Sequence, residues 1–288
     1  MSILDPAFLK HLSSNSAHYR DPLTVLPWHA LSLQDFWLPP TALSLAGVPE
    51  FEAQPTLLQQ RLSQYEFMHF IQAGLWLEGI FIARLGGGLQ QTAAQDELAY
   101  NLHEIREEAG HSLMFLKLME QSALYLPSSA FRRPWLAQVL SRYATERSSL
   151  FWLAAVIGEE IPDWLNRLVQ KQSAEVNPLI AQMCRLHITD EARHIARSRR
   201  SLDHRLAELP AWRRRLLKPI ANTLLRQFVR TFYLPSPEIY ELAGLSPGRR
   251  WQHLALHNPS RQALIAQCTQ PTLQRLAQSG LVLTPVQL

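Results

Sequence analysis

Leu-His-Ile-Thr-Asp-Glu-Ala-Arg-His, residues 186–194, places two imidazoles and a carboxylate at positions i, i+4 and i+7. On an α-helix, which turns about 100° per residue, His187, Glu191 and His194 lie within roughly 60° of one another. They form one stripe about 10 Å long on a single helix face. Such a stripe is typical of one half of a metal site built inside a helical bundle.

A second stretch, residues 104–111, repeats this spacing upstream and ends in Glu108 and His111. With 17 glutamates and 11 histidines in 288 residues, chance alone predicts about one Glu-x-x-His pair, whereas three occur. We therefore expect one accidental pair, and Glu66 with His69 is the candidate. The other two pairs predict two facing helices.

Two more glutamates complete the pattern. Glu78 lies 30 residues before Glu108, and Glu160 lies 31 residues before Glu191, which indicates an internal repeat. Four helices that each supply a glutamate, two of them through Glu-x-x-His, are the known framework of carboxylate-bridged di-iron and di-manganese sites. Oxygen and imidazole ligands favour iron or manganese, and the sequence has no cysteine cluster that would favour zinc or iron-sulfur.

The hydrophobic pattern predicts an all-α fold in one domain, with an arm at 1–54, a four-helix metal-binding core at 55–209 and covering helices at 210–288. The arm contains six prolines, and we expect its aromatic residues to anchor it by burial: Trp28, Phe36, Trp37 and Phe51. The predicted helices run from Pro55 to the glycines at 86–88, from Thr92 or Asp96 to Ser122, from Pro134 to Gln172 with a kink or wide turn at Pro162, from an Asn177 cap to Leu209, and from Ala211 to Tyr233.

Several residues beside the four glutamates have candidate roles. Glu107 and Asp190, each next to a ligand glutamate, are predicted to accept a hydrogen bond from a ligand histidine of the opposite helix, which would fix its tautomer. His187 is an extra imidazole, for which we prefer metal ligation to a buried structural role. Glu104 could be a supporting carboxylate or a weak ligand, and Cys184 is expected to be a small buried hydrophobic residue.

Composition restricts the class of protein. Two cysteines argue against a disulfide framework and fit a reducing compartment, and we find neither a signal-peptide pattern nor an integral membrane segment, so we expect a cytoplasmic protein. Of the 24 arginines, 13 lie between Arg185 and Arg250, and this basic surface could meet an anionic partner. No nucleic-acid motif accompanies it, so nucleic acid is not an expected partner.

The combined motifs resemble the AurF-type di-iron N-oxygenases, a family named for a p-aminobenzoate N-oxygenase that converts arylamines to nitroarenes. The matching positions are Glu78, Glu108-Ala-Gly-His111, Glu160 and His187-x3-Glu191-x2-His194. The similarity covers about residues 30–245, including the segments 36–40 and 231–235. Glu107 is a departure, because the family often has Asp there.

The resemblance implies a ferritin-like helical fold, often dimeric, with four glutamate and three histidine ligands for two iron ions. It also implies O2 as a co-substrate, an external electron donor and a small-molecule amine that becomes a hydroxylamine, nitroso or nitro product. Three alternatives stay open at this point: oxidation of a carbon substrate, a non-catalytic iron-binding protein, and a lipid-associated enzyme whose basic amphipathic helix is residues 212–233.

Overall fold

The computed structural model describes residues 4–90 and 94–286, and the regular secondary structure in these residues is helical. Twelve α-helices run in order through this part of the chain: α1 Pro6–Ser16, α2 Pro22–Val25, α3 Pro49–Glu52, α4 Thr56–Leu89, α5 Gln95–Ser122, α6 Trp135–Tyr143, α7 Ser149–Lys171, α8 Pro178–Ala207, α9 Ala211–Tyr233, α10 Pro237–Leu242, α11 Gly248–Leu256 and α12 Pro259–Gln278. The predicted all-α, ferritin-like fold is confirmed.

Four long helices form the core of the fold. Helix α4 packs along α5, and α7 packs along α8, with short connections that make each pair antiparallel. Contacts between α5 and α8 join the two pairs and bring the two Glu-x-x-His segments together. The α8 helix begins as its sequence predicts, because the Asn177 side chain accepts a hydrogen bond from the Leu179 backbone N–H and Pro178 occupies the first turn.

The main difference from the predicted helix boundaries lies between residues 134 and 172. The helix expected from Pro134 to Gln172 is two helices, α6 and α7, because Ala144 is extended and the Ser148 hydroxyl caps a new helix by accepting from the Leu150 N–H. Pro162 lies inside α7 without ending it. The glycines at 86–88 continue α4 to Leu89, while Thr92, the earlier predicted start of α5, lies outside the described residues.

The N-terminal arm lies on the bundle as expected. Trp28, Trp37 and Phe51 are buried, and Phe36 packs partly buried against the same core. The arm is also held at the start of α8, where the Asn177 side-chain amide donates to the Ala30 carbonyl. Helices α9 to α12 cover the bundle and share one apolar core with it. In the described residues, no helix combines the length and the apolar character needed to cross a bilayer.

Candidate metal centre

Side chains from α4, α5, α7 and α8 converge in the middle of the bundle. One group of potential ligand atoms belongs to Glu78, His111, His187 and Glu191, and a second belongs to Glu108, Glu191 and His194. Within each group the atoms lie within 4.8 Å of one another. Because Glu191 belongs to both groups, the two groups adjoin and form one extended centre.

The carboxylates of Glu108 and Glu191 lie between the imidazoles of His111 and His194. One oxygen of Glu108 is 3.4 Å from Nδ1 of His111, and its other oxygen is 3.2 Å from Nδ1 of His194. Oε1 of Glu191 lies 3.4 Å from Nδ1 of His111 and 3.5 Å from Nδ1 of His194. Both carboxylates are therefore placed to bridge two cations.

His187 faces the same centre from α8. Its Nε2 lies 3.2 Å from Oε1 of Glu78 and 3.7 Å from Oε1 of Glu191. The ring centroids of His187 and His111 are 4.3 Å apart. The third imidazole therefore stands on the His111 side of the centre, which makes the two halves unequal.

The two adjacent glutamates of α7 have different surroundings, and the predicted ligand Glu160 is the one further from the other ligand side chains. The Glu160 carboxylate turns away from the centre and accepts hydrogen bonds from Arg199 Nε at 2.6 Å and from the Thr272 hydroxyl at 2.6 Å. The buried carboxyl that lies beside Glu191 is that of Glu159, one residue earlier. Sequence spacing favoured Glu160 because its separation from Glu191 matches the other half of the repeat.

Each histidine of the centre has its outer nitrogen beside a polar side chain. Nε2 of His111 lies 3.3 Å from Oδ2 of Asp190, and Nε2 of His194 lies 2.9 Å from Oε2 of Glu107. These are the cross-helix pairs that the sequence predicts between α5 and α8. An outer hydrogen bond of this kind fixes which ring nitrogen faces inward.

The partner of the third histidine was missed by sequence reasoning. The Asn166 side-chain amide lies 3.1 Å from Nδ1 of His187. Asn166 follows Glu159 by seven residues, so the two share one face of α7. The seven-residue spacing between Glu159 and Asn166 is present in the sequence, but it points to Asn166 only if Glu159, rather than Glu160, faces the centre.

Arg193 joins the two outer carboxylates. Its guanidinium donates to Oε1 of Glu107 at 2.8 Å and to Oδ1 of Asp190 at 2.5 Å. One cation thus holds both carboxylates against His111 and His194. Charge-assisted hydrogen bonds to Arg carry strong directional preference, so Arg193 positions both imidazoles through their partners.

Burial and mutual repulsion divide the four carboxyls into two classes. Burial and the neighbouring charge of Glu108 hold the pKa of Glu78 well above its usual range, and burial and Glu191 do the same for Glu159. Burial also opposes ionisation of Glu108 and Glu191, but the positive charge of His194 and the contacts with other neighbouring side chains together outweigh it. The pKa of Glu108 is therefore well below its usual range, and the pKa of Glu191 is lowered to about 2.

The imidazoles divide in the same way. Burial lowers the pKa of a histidine, but the interactions with Asp190, Glu108 and Glu191 together outweigh it and raise the pKa of His111 to about 10. The charge of Glu191 likewise raises the pKa of His194 well above its usual value. Burial and the positive charge of His111 lower the pKa of His187 to about 4. At neutral pH, protons on His111 and His194 offset the charge of the ionised carboxylates.

The inward-facing oxygen and nitrogen atoms are better placed to coordinate metal ions than to form hydrogen bonds with one another. Within the described part of the chain, both oxygens of Glu108 and of Glu191 and the Nδ1 atoms of His111 and His194 are buried without a well-formed hydrogen bond, as is Oε1 of Glu159. Buried polar atoms without partners are costly, and metal coordination would satisfy them. Four carboxylates and three imidazoles are a ligand set suited to iron or manganese.

Other polar residues near the centre have structural roles. Glu104, for which a supporting or weak ligand role was expected, pairs with the buried Arg197 at 2.7 Å. The accidental pair is structural too, because Glu66 accepts hydrogen bonds from Ser44 of the arm and His69 lies elsewhere in the core. Cys184 is a buried free thiol, and burial raises its pKa.

Two cavities are lined by residues of the centre or by close sequence neighbours of its residues. A cleft of about 610 Å³ between the arm and α8 is lined by Arg20, Arg185, Asp190 and Arg193, among others, and it gives solvent a route to the outer hydrogen-bond network. A narrow apolar cavity of about 30 Å³ lies among α4, α6, α7 and α9. It is lined by these residues: Leu77, Ile80, Phe81, Ala137, Leu140, Ser141, Ala144, Phe151, Ala154, Ala155 and Phe228.

Comparison with known proteins places this architecture. The chain is 23% identical over 206 residues to uncharacterized proteins of Mycobacterium bovis and Mycobacterium tuberculosis, which covers 71% of this chain. The same match covers 61% of each mycobacterial protein, so the chain spans about three fifths of the length of these relatives. The family model described as p-aminobenzoate N-oxygenase AurF matches residues 5–280, nearly the whole described chain. With its ferritin-like fold and its paired glutamate and histidine clusters, the chain belongs to the AurF family of di-iron N-oxygenases.

Proposed function

We propose that this protein is a non-haem di-iron oxygenase that transfers oxygen from O2 to the nitrogen of a small-molecule amine. One observation carries the proposal: four glutamates and three histidines on four helices of an AurF-family chain converge on one buried space. The proposed ligands are Glu78, Glu108, His111, Glu159, His187, Glu191 and His194.

The distances suggest how these residues would share two iron ions. Glu108 and Glu191 lie between His111 and His194, so both would bridge. Glu78 and His187 would add to the His111 side, and Glu159 would complete the His194 side. Two nitrogen ligands on one side and one on the other would give the two ions different electronic character.

The proposed ligands would hold two ferrous ions, which would supply two electrons to O2, so that one oxygen atom goes to a nearby nucleophile and the other leaves as water after taking up two protons. The protein provides the setting for this chemistry. Asp190, Glu107 and Asn166 hold the imidazoles of the three histidines in fixed orientations, so little reorganisation is needed during the reaction. The ligand side chains are nearly inaccessible to solvent, which protects a reactive oxidant from water.

The apolar cavity is the proposed place for the substrate, because it lies next to the proposed ligands. Phe81 follows Glu78 by three residues on α4, and Ala155 precedes Glu159 by four on α7, so both lie about one turn from a proposed ligand. The cavity has room for about one water molecule. Admission of a substrate therefore requires movement of its wall, and α6 is the shortest of the four helices around it.

The remaining parts of the proposal concern partners. Repeated turnover needs an external electron donor, because each O2 consumes electrons that the substrate does not fully supply. The two buried free cysteines are consistent with the reducing environment of the cytoplasm. We also propose a homodimer, because the family resemblance implies one.

Single-turnover oxygenation tests the function. Protein loaded anaerobically with two equivalents of Fe²⁺ is mixed with ¹⁸O2 and a panel of aryl and alkyl amines, and the products are analysed by mass spectrometry. We expect ¹⁸O on the nitrogen of at least one amine and none with Glu191→Ala. Label found only on carbon would support the carbon-oxidising alternative, and absence of labelled product with every amine would contradict the proposal.

A further inference from the structure

We propose that α6 is a docking surface for an anionic lipid bilayer. The outer face of this helix carries Trp135, Val139 and Tyr143, whose exposed fractions are 64%, 44% and 77%. Spacings of four residues place these three side chains on one stripe of the helix. Large apolar side chains that are grouped on one helix face and left in water usually mark an interaction site.

The residues around this stripe are basic. Arg132, Arg133, Arg142 and Arg147 are all exposed. The one acidic residue between positions 132 and 147 is Glu146, whose carboxylate turns inward to within 3.6 Å of the buried Arg197. Glu238 of α10 lies close enough to Arg132 for that arginine to help lower its pKa, but the exposed charge that residues 132–147 themselves carry is positive. This charge complements the negative surface of a bilayer that contains anionic lipids.

Size and charge argue against a second copy of the chain as the occupant. A stable interface buries about 800 Å² on each partner, whereas the two aromatic side chains of the stripe supply at most about 500 Å² together. Symmetric pairing of α6 would also bring its arginines close to those of the other copy. Trp and Tyr prefer the boundary between headgroups and acyl chains, and a short amphipathic helix with a basic rim is suited to lie in that plane.

The inner face of α6 lines the apolar cavity, on the opposite side of the helix from the proposed lipid surface. Ala137, Leu140 and Ser141 line the apolar cavity beside the proposed iron centre, so α6 separates the cavity from the proposed lipid surface. The chain makes no membrane-spanning helix in its described residues, and docking of this kind needs none. Docking is independent of the proposed oxygenase function, because it depends on the outer face of α6 and on no residue of the centre.

Vesicle co-sedimentation tests the proposal with the full chain. We expect binding to vesicles of phosphatidylcholine mixed with phosphatidylglycerol, weak or no binding to pure phosphatidylcholine, and weaker binding when salt is raised from about 0.1 M to about 1 M. Arg133→Gln with Arg142→Gln should weaken binding by about 25-fold, at about fivefold for each arginine near the surface. Trp135→Ser with Tyr143→Ser should weaken it by at least about tenfold.

The matched control is the exposed apolar pair on α9. Trp212→Ser with Leu216→Ser removes side chains that are 57% and 60% exposed and also lie among arginines. This variant should bind vesicles like the unchanged protein, and circular dichroism should show that both serine variants remain folded. Equal loss of binding in the α9 variant, unchanged binding in the α6 variants, or no binding by the unchanged protein would overturn the proposal. So would a size-exclusion shift from dimer to monomer in the α6 serine variant, because the face would then bind a second copy.

Discussion

Adjacent glutamates of α7 provide a sharp test of the proposed centre. Glu160→Ala removes hydrogen bonds at 2.6 Å from Arg199 and at 2.6 Å from Thr272. Charge-assisted bonds in a buried setting contribute up to about 3 kcal/mol, but the Arg199 side chain is 42% exposed and stays partly hydrated. We therefore expect a loss of about 2 kcal/mol and a decrease in Tm of about 4 °C, with metal binding retained.

Glu159→Ala should behave in the opposite way. Burial and Glu191 raise the pKa of Glu159, and its Oε1 has no well-formed hydrogen bond in the described part of the chain, so removal of this carboxyl should change the stability of the metal-free protein less. As a proposed ligand it should matter more for metal than residues that only orient ligands, whose loss costs about 10–100-fold in affinity. We expect one of two metal ions to bind at least about 100-fold more weakly.

Anaerobic Fe²⁺ titration with thermal denaturation measures both effects. The unchanged protein should bind two ions, Glu160→Ala should bind two with a lowered Tm, and Glu159→Ala should bind one tightly. Glu159→Gln serves as a control that keeps the side-chain volume and removes the charge. If Glu160→Ala lost an ion while Glu159→Ala kept both, the assignment of the α7 ligand would be wrong.

Three further predictions concern the histidines and their supports. His187→Ala should retain two metal ions more readily than His194→Ala, because His194 lies next to both proposed bridging carboxylates. Metal analysis after dialysis measures the ions retained by each variant, and equal loss from both would contradict the prediction. Metal binding at pH 7 should release protons and tighten as pH rises towards 10, because His111, with a pKa of about 10, and Glu78, with a raised pKa, must both give up protons. Titration calorimetry in buffers of different ionisation enthalpy detects this proton release. A binding enthalpy that does not depend on the buffer would refute the prediction. Arg193→Ala should weaken metal binding by about 10–100-fold because Glu107 and Asp190 lose their shared cation, and an unchanged affinity would show that the pair needs no such support.

Much of the fold could be predicted because strong local signals agree with the final packing. Asn177 and Pro178 identify the start of α8, and the stripe at 187–194 identifies its inner face. The cross-helix pairs of Glu107 and Asp190 also followed from sequence, since each precedes a glutamate that faces the partner helix. In these places the residue pattern of a single helix is enough to predict its start, its inner face and the side chains that it presents to the partner helix.

The failures arise where a choice depends on tertiary packing. Glu159 and Glu160 differ by 100° around α7, and the contacts of Glu160 with Arg199 on α8 and Thr272 on α12 distinguish the two. Thr272 lies 112 residues further along the chain, so no local pattern reveals this contact. The break between α6 and α7 was missed because its signal is a single Ser148 cap within an otherwise helical pattern.

The iron content and magnetic coupling of the reduced and reoxidised protein test the central claim most directly. Mössbauer spectroscopy of protein loaded with ⁵⁷Fe reports the number of iron ions per chain and whether they share bridging ligands. Two iron ions per chain that couple magnetically after oxidation are predicted by the bridging positions of Glu108 and Glu191. One iron ion per chain, or two ions without coupling, would contradict a centre built by these residues.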